Sequence, residues 1–429
     1  MDCRTDSGGL REALRPPAAF CEPYGFKDYP RNTISMTSHD PVRLGLERCL
    51  AEPPDVMRGA RFGLLMNQAS VDAEFRYACD RLAARFPGQL VCLFSPQHGL
   101  WGEQQANMIE SAHDRYPPLD LPVHSLYSET RRPTSDMLRG LDALVIDLQD
   151  VGTRIYTFVW TMLECLRACA AANVAVVVLD RPNPLGGEIV EGPLLEPGFE
   201  SFVGNATIPM RHGLTLGELA RLFNDELHIG ADLHVVTMDG WRRKMLFPDT
   251  GRAWIAPSPN MPRFDTAAVY PGQVLLEGTN LSEGRGTTLP FEIAGAPWLD
   301  PWELAEDLNR REFPGLVIRP IRFVPTFDKH RGERCGGVSL HVTDPRAVRS
   351  LAFTLALLDA SWRLAPREFA WLPPPYEYEA VKPPMDILFG SDRLRRALES
   401  GNGLTDDAGL TACDEPAWHA RTAACRLYD

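Results

Sequence analysis

Short apolar segments alternate with helical patterns through the first half of the chain. The apolar segments cover residues 61–67, 90–95, 141–148 and 174–180. Helical patterns follow two of them, at residues 74–85 and 158–172. Apolar runs that are separated by helices and buried on both faces are typical of a parallel sheet. The pattern therefore predicts an α/β fold with a Rossmann-like parallel-sheet domain.

The second half differs in composition. Residues 257–298 are dense in Gly, Pro, Thr and Ser, so we expect loops that line a site. Beyond them the pattern predicts helices at 302–311 and 347–363 and strands at 317–323 and 337–342. Because 429 residues exceed the roughly 250–300 that one core supports, we expect more than one domain. The predicted parts are a flexible N-terminal extension (1–35), a Rossmann-like N-terminal domain (36–244) and a smaller C-terminal α/β domain (245–429).

Composition and charge narrow the class of partner. The chain is 44% hydrophobic and 24% charged, as ordinary globular proteins are. Its net charge of −13 argues against nucleic acid or an anionic membrane as partner, because both bind basic patches. The sequence has no run of about 18 apolar residues, no secretory signal and no CxxC pair among its ten cysteines. We therefore expect a cytoplasmic protein with reduced thiols.

Polar residues cluster where the predicted strands end, which is where parallel α/β sheets bind ligands. These clusters lie at residues 67–68, 95–99, 147–150 and 180–184. Neither a GxGxxG turn nor a P-loop follows any of the strands, so we expect no dinucleotide or other cofactor. His98 and His212 do not have the spacing of metal ligands, and the sequence contains no HxH or HExxH. We therefore expect no metal.

Several strings along the chain resemble those of one enzyme family. In order they are SPQHG (95–99), DLQDVGTRIYT (147–157), DRPNPLGG (180–187), VEGP (190–193), RHGLT (211–215), PSPNMP (257–262) and EGTNLSEGRGTT (277–288). With these strings the chain resembles the exo-β-N-acetylmuramidases, glycoside hydrolase family 171, over about residues 43–429. The resemblance implies an active site in the cleft between a Rossmann-like domain and a smaller C-terminal domain. It also implies release of N-acetylmuramic acid (MurNAc) from the non-reducing, β-1,4-linked end of peptidoglycan fragments or muropeptides.

The resemblance also points to two catalytic glutamates, in the family motifs Ser-Pro-Glu-His-Gly and Val-Glu-Gly-Pro. Glu191 matches the second, and its loop setting suits a proton donor whose pKa burial would raise. The alternative is that Glu191 only accepts hydrogen bonds from local loop amides. At the first position this chain has Gln97, whose side chain cannot titrate.

Three hypotheses follow from Gln97. Another carboxylate could serve as the second catalytic group, and the candidates are Glu103, Glu110, Asp150 and Glu283. The substrate's own 2-acetamido group could act instead, oriented by Gln97 or Asn260. The chain could also be a non-hydrolytic muropeptide-binding protein, or a glycosidase for another N-acetylated or carboxylated sugar.

Other polar residues of the motifs are candidates for binding the sugar. His98 could assist proton transfer or bind a hydroxyl, and the lactyl carboxylate of MurNAc calls for an arginine. Arg285 is favoured because glycines flank it, although an ion pair with Glu283 or Glu277 is an equal alternative. The predicted catalytic residues are Glu191, Gln97, His98 and Glu110. The predicted substrate-binding residues are Asn67, Asp150, Arg154, Arg181, Asn183, Arg211, His212, Asn260, Asn280, Glu283 and Arg285.

Overall fold

A sheet of seven strands forms the centre of this computed structural model. In spatial order the strands are β3 (Asp114–Tyr116), β4 (Leu121–Ser125), β2 (Leu90–Ser95), β1 (Phe62–Met66), β5 (Ala143–Asp147), β6 (Ala175–Leu179) and β9 (Leu233–Val236). Neighbouring strands are parallel except at the edge, where β3 runs antiparallel to β4. The six parallel strands follow the order 3-2-1-4-5-6 of doubly wound α/β sheets. The predicted α/β fold with a parallel sheet is confirmed.

The structure describes residues 41–106, 108–401, 404 and 409–429. The predicted extension over residues 1–35 lies outside them. Asp40–Asp429 forms one compact unit, and the predicted boundary at residue 244 falls inside it, so the division into two domains stays a prediction. Within the described residues, no helix combines the length and the apolar character needed to cross a bilayer.

The strands of the sheet are apolar at successive positions because both faces are covered. On β5, Leu144 and Ile146 face one hydrophobic core, whereas Ala143 and Val145 face another. Helices α4 (Phe158–Ala172) and α5 (Leu216–Glu226) cover the first face, and α1 (Gly45–Ala51) and α2 (Ala78–Arg85) cover the second. Two buried faces remove the alternation of polar and apolar residues that a half-exposed strand shows.

A second, antiparallel sheet lies in the C-terminal half. Its strands are β10 (Ile293–Ala296), β12 (Cys335–Val342) and β11 (Leu316–Phe323), in that order. The helices that follow the predicted pattern are α7 (Pro301–Asn309) and α8 (Ser350–Leu364). A two-stranded ribbon of β7 (Glu191–Leu194) and β8 (Pro209–Arg211) lies between the halves in sequence. The remaining helices are α3 (Ser135–Leu138), α6 (Phe264–Gln273), α9 (Pro384–Phe389), α10 (Arg393–Glu399) and α11 (Glu415–Thr422).

Two elements differ from the prediction. The helix expected from residue 74 begins at Ala78, because the Asp72 carboxylate accepts the backbone N–H groups of Glu74 and Arg76, both at 3.0 Å. Such side-chain bonds stabilise a turn at the expense of the helix. The segment 257–298 is not all loop, since it contains α6 and β10. Every residue of α6 from Thr266 to Gln273 is buried, so this helix has no polar face to reveal it.

Arg154 joins the two halves of the chain by hydrogen bonds to backbone carbonyls. Its guanidinium donates to Pro193 O and Ile208 O, both at 3.0 Å. It also donates to Leu388 O at 3.2 Å and Phe389 O at 2.7 Å, at the C-terminus of α9. Burial lowers the pKa of Arg154 to about 9. The cation is stabilised by the carbonyl dipoles at a helix C-terminus.

We expect Arg154→Met to lower the free energy of unfolding by at least about 3 kcal/mol, because it removes four hydrogen bonds to buried carbonyls, of which Ile208 O keeps a second donor in Leu195 N. Urea unfolding measures the change. The control is Arg310→Met, which removes an exposed ion pair with Glu306 and should cost under about 1 kcal/mol. Equal losses in the two variants would contradict this role for Arg154.

Candidate active site

A pocket with a cavity volume of about 40 Å³ opens beyond the carboxyl end of β2. Gln97 and His98 reach it from that strand, and residues 155–158 reach it from the turn before α4. The other lining residues are Val203, Ser258, Asn260, Met261, Tyr270, Glu277, Arg285, Phe291, Tyr376 and Glu377. The pocket thus combines residues of both halves of the sequence.

Gln97 lies at the centre of a buried hydrogen-bond chain. Thr157 Oγ1 donates to Gln97 Oε1 at 2.6 Å. Gln97 Nε2 in turn donates to Glu377 Oε1 at 3.1 Å. The threonine hydroxyl therefore orients the amide so that its N–H group points at the carboxyl group.

Glu377 is the residue that the sequence analysis missed. Tyr127 OH donates to its Oε2 at 2.7 Å, so both oxygens are held by uncharged groups. Burial raises the pKa of Glu377 to about 7, although the hydrogen bonds from Tyr127 and Gln97 oppose the shift. A carboxyl group that titrates near neutral pH can donate or accept a proton under physiological conditions. In the sequence the residue directly follows Pro373, Pro374, Pro375 and Tyr376, and no motif marks it as part of a site.

Four charged side chains, those of Glu277, Glu283, Arg285 and Lys329, lie near this series of hydrogen bonds. Arg285 donates to Glu277 Oε1 at 2.7 Å and lies 3.2 Å from Glu283 Oε1. Lys329 Nζ lies 2.9 Å from Glu283 Oε2. Although burial opposes it, Lys329 and Arg285 hold the pKa of Glu283 below its usual value. Arg285 Nη1 is buried and has no hydrogen-bond partner among the described residues, so it is a free donor beside the pocket.

His98 is a neutral acceptor in the pocket. Its Nδ1 lies 2.7 Å from Gln104 O, and because a carbonyl only accepts, Nδ1 carries the hydrogen. Burial lowers the pKa of His98 to about 4. Asn260 Nδ2 donates to the next carbonyl, Gln105 O, at 2.6 Å. Both pocket residues therefore fix the backbone of residues 104–105.

Glu191 is not among the residues that line the pocket. Its Oε1 accepts the backbone N–H of Leu351 at 2.7 Å, at the beginning of α8. Burial raises the pKa of Glu191, and the charge of Arg211 opposes the shift. The observed contact is the amide bonding that we gave as the alternative to catalysis, and a catalytic role for Glu191 stays a prediction.

The other carboxylates proposed to replace position 97 also lie outside the pocket lining. Glu110 is exposed and pairs with Arg131 at 3.1 Å. Glu103 is exposed and accepts the backbone N–H of Trp101 at 3.2 Å. Asp150 accepts Gly152 N at 2.7 Å and lies 3.4 Å from His212 Nε2. Glu283 does not line the pocket, but its side chain lies 3.2 Å from Arg285, which does.

Most of the remaining predicted binding residues hold the protein's own loops. Arg181 makes a bidentate ion pair with Asp147 at the end of β5, at 2.5 and 2.8 Å. The others donate to carbonyls: Arg211 to Leu185 O, Asn67 to Pro257 O, Asn183 to Leu214 O and Asn280 to Glu368 O. The Asn67 contact matters for the pocket, because it fixes the start of the segment that supplies Ser258 and Asn260. Substrate binding by these residues stays a prediction.

The described residues contain no group of three or more His, Cys, Asp or Glu side chains that could hold a metal ion. Among the charged residues that line the pocket, Glu277 pairs with Arg285 at 2.7 Å, whereas Glu377 is held by uncharged groups.

Comparison with known proteins identifies the family. The N-terminal model of the exo-β-N-acetylmuramidase NamZ matches residues 62–265, and the C-terminal model matches residues 268–428. The peptidoglycan β-N-acetylmuramidase NamZ of Bacillus subtilis (strain 168) is 42% identical over 364 residues, which are 85% of this chain and 86% of that protein. The chain belongs to the exo-β-N-acetylmuramidase family.

Two solved structures show the same architecture. Both are DUF1343 family proteins from Bacteroides fragilis NCTC 9343. One is 32% identical with a TM-score of 0.81, covering 91% of this chain and 100% of its own. The other is 27% identical with a TM-score of 0.70, covering 91% and 99%. The fold and the resemblance to the exo-β-N-acetylmuramidase family are thereby confirmed.

The titration of Glu377 has a measurable effect on stability. The pKa of Glu377 is higher in the folded state than in the unfolded state. Its contribution to the free energy of unfolding is therefore fully present below pH 4.5 and is lost as the pH rises through 7. Glu377→Gln cannot ionise, so we expect its free energy of unfolding to gain about 3 kcal/mol relative to wild type between pH 4 and pH 8. Urea unfolding at several pH values tests this. The exposed Glu306→Gln is the control, and a pH-independent difference for Glu377→Gln would contradict the prediction.

Proposed function

We propose that this chain releases MurNAc from the non-reducing end of peptidoglycan fragments by hydrolysis of a β-1,4 linkage, and that the pocket around Gln97 is its active site. Family membership supports the reaction class. The observation that carries the location is that one pocket joins motif residues of both matched halves, with Gln97, His98 and Asn260 from the first and Arg285 from the second.

Replacement of the motif glutamate by Gln97 does not leave the pocket without carboxyl groups. Glu277 and Glu377 both line it. Glycoside hydrolysis uses a carboxyl group to protonate the leaving oxygen, and a second group to activate water or to attack the anomeric carbon. These carboxyl groups support hydrolysis over binding alone, and Asn260 and His98 offer polar atoms for the sugar.

Arg285 is the proposed partner of the lactyl carboxylate. Two of its nitrogens face Glu277 and Glu283, whereas Nη1 is buried without a partner in the described residues. A guanidinium can bridge protein and ligand carboxylates at once, because its five N–H groups point outward in a plane. The lactyl group distinguishes MurNAc from N-acetylglucosamine (GlcNAc), so this contact would select the sugar.

We further propose that the reaction takes place in the cytoplasm, on disaccharides or muropeptides that arise in cell-wall recycling. In support, the eight cysteines among the described residues are unpaired, and seven of them are buried. Free thiols are typical of a reducing compartment.

The reaction is tested with three disaccharides and the purified protein. We expect free MurNAc from MurNAc-β-1,4-GlcNAc, and no cleavage of GlcNAc-β-1,4-MurNAc or GlcNAc-β-1,4-GlcNAc, measured by mass spectrometry of the products. The second compound has MurNAc only at the reducing end, and the third has no lactyl group. Binding of the first without cleavage would identify a binding protein, and cleavage of the third would identify a glycosidase of different specificity.

The role of Arg285 is tested by Arg285→Lys, which keeps the positive charge beside Glu277 but removes the free Nη1 donor. We expect the preference for MurNAc over GlcNAc, measured by calorimetric binding of both sugars, to fall about tenfold, equivalent to about 1.4 kcal/mol. Arg310→Lys, at the exposed position directly after α7, is the matched control. An unchanged preference in Arg285→Lys would contradict the contact.

A further inference from the structure

We infer that Glu377 protonates the glycosidic oxygen in this chain, with Gln97 as its positioning residue. This inference rests on the proposed function and assigns a residue that no motif pointed to. Its basis is the contact between Gln97 Nε2 and Glu377 Oε1, which places a carboxyl group directly beside the position where the family motif has a glutamate.

The backbone around Glu377 presents two successive side chains to the pocket. Tyr376 and Glu379 exchange backbone N–H···O bonds of 2.9 Å, which closes a tight turn. Tyr376 OH donates to Glu277, and Glu377 accepts from Gln97 and Tyr127. Glu377 has a φ of +43°, a left-handed conformation that a glutamate adopts only when its surroundings impose it. The turn is therefore built to hold this carboxyl group in place.

Gln97 donates a hydrogen bond to Glu377 without adding a second carboxyl group that would compete for the proton. A glutamate at position 97 would place two carboxyl groups about 3 Å apart, and such a pair shares one proton because both cannot ionise. The amide keeps the hydrogen bond and removes the second titrating group. Thr157 fixes the amide orientation, and Glu377 is the one carboxyl group in this series of hydrogen bonds.

The two other buried glutamates considered suit a proton donor less well. Glu277 pairs with the Arg285 guanidinium and accepts from Tyr376, so it is placed to supply negative charge beside the reacting sugar. Glu191 contacts the backbone at the beginning of α8 and does not line the pocket. Glu377 is the pocket carboxyl group whose hydrogen bonds all come from uncharged groups.

The proton balance of the step is simple. The protonated carboxyl group of Glu377 gives its proton to the glycosidic oxygen as the bond from that oxygen to the anomeric carbon of MurNAc breaks. The hydroxide part of one water molecule bonds to the anomeric carbon. The remaining proton of that water replaces the proton that Glu377 gave up, so the enzyme is restored and one water is consumed.

The experiment compares Glu377→Gln with wild type on two substrates, MurNAc-β-1,4-GlcNAc and 4-nitrophenyl β-MurNAc. We expect kcat on the disaccharide to fall about 10²–10⁴-fold, with KM changed less than threefold. The loss on the nitrophenyl glycoside should be at least tenfold smaller, because nitrophenolate leaves without being protonated. Glu379→Gln, in the same turn but outside the pocket lining, is the matched control and should stay within threefold on both.

Each other outcome overturns the assignment. Equal losses on the two substrates would exclude protonation of the leaving oxygen, and activity of Glu377→Gln within threefold of wild type would exclude any catalytic role. A larger loss on the disaccharide in Glu191→Gln would assign the step to Glu191. If the wild-type protein cleaves neither substrate, the proposed function is wrong, and the role of Glu377 is wrong with it. If the wild type is active but Glu377→Gln behaves as in the outcomes above, only the role of Glu377 is wrong.

Gln97→Glu tests the positioning role through a pH profile. The titrating and charged groups that face Glu377 include Glu277, Arg285, Tyr127, Tyr270 and Tyr376. The variant adds one carboxyl group to them. We expect the pH at which kcat falls on the alkaline side to rise by at least one unit, because a neighbouring carboxylate favours the protonated form of Glu377. An unchanged pH profile would show that position 97 does not act through Glu377.

Discussion

The pocket depends on one long-range contact, the hydrogen bond between Gln97 and Glu377, which are 280 residues apart. One partner follows the second strand of the parallel sheet, and the other lies in a tight turn near the C-terminus. Neither side chain forms an ion pair. The contact therefore relies on exclusion of water and on the orienting hydrogen bonds from Thr157 and Tyr127. Because the protein interior is desolvated there, the carboxyl group keeps its proton to about neutral pH.

The motif arginines show how the same sequence pattern can serve folding or binding. Arg154 donates to four of the protein's own carbonyls and Arg181 pairs with Asp147, and both arginines fix the segments around the sheet. Arg285 is held by two glutamates but keeps one buried nitrogen without a partner in the described chain. A buried guanidinium is costly to desolvate unless it is bonded. Because Arg285 lines the pocket and Arg154 does not, we propose the unpartnered Nη1 of Arg285 as the place where a ligand carboxylate binds.

The elements predicted best are those whose burial is uniform along the segment. The strands β1, β2, β5 and β6 and the helix α4 lie within two residues of their predicted bounds, because continuous apolar runs are unambiguous when both sheet faces are covered. The helix α6 was missed for the opposite reason, since a short helix buried on all sides has no periodicity. The start of α2 was missed because the Asp72 side chain competes with the helix for backbone donors.

The sequence by itself determined the fold class and the family, and it named Gln97, His98, Asn260 and Arg285 among its candidate site residues, because strand ends and ordered motifs are local properties of the chain. It could not show that Glu377 lies against Gln97, or that Glu191 lies against Leu351. Both glutamates follow short Gly- or Pro-rich stretches and look alike in sequence. Only the tertiary structure decided which of them is buried in the pocket, since burial and hydrogen-bond partners are set by residues far away in the chain.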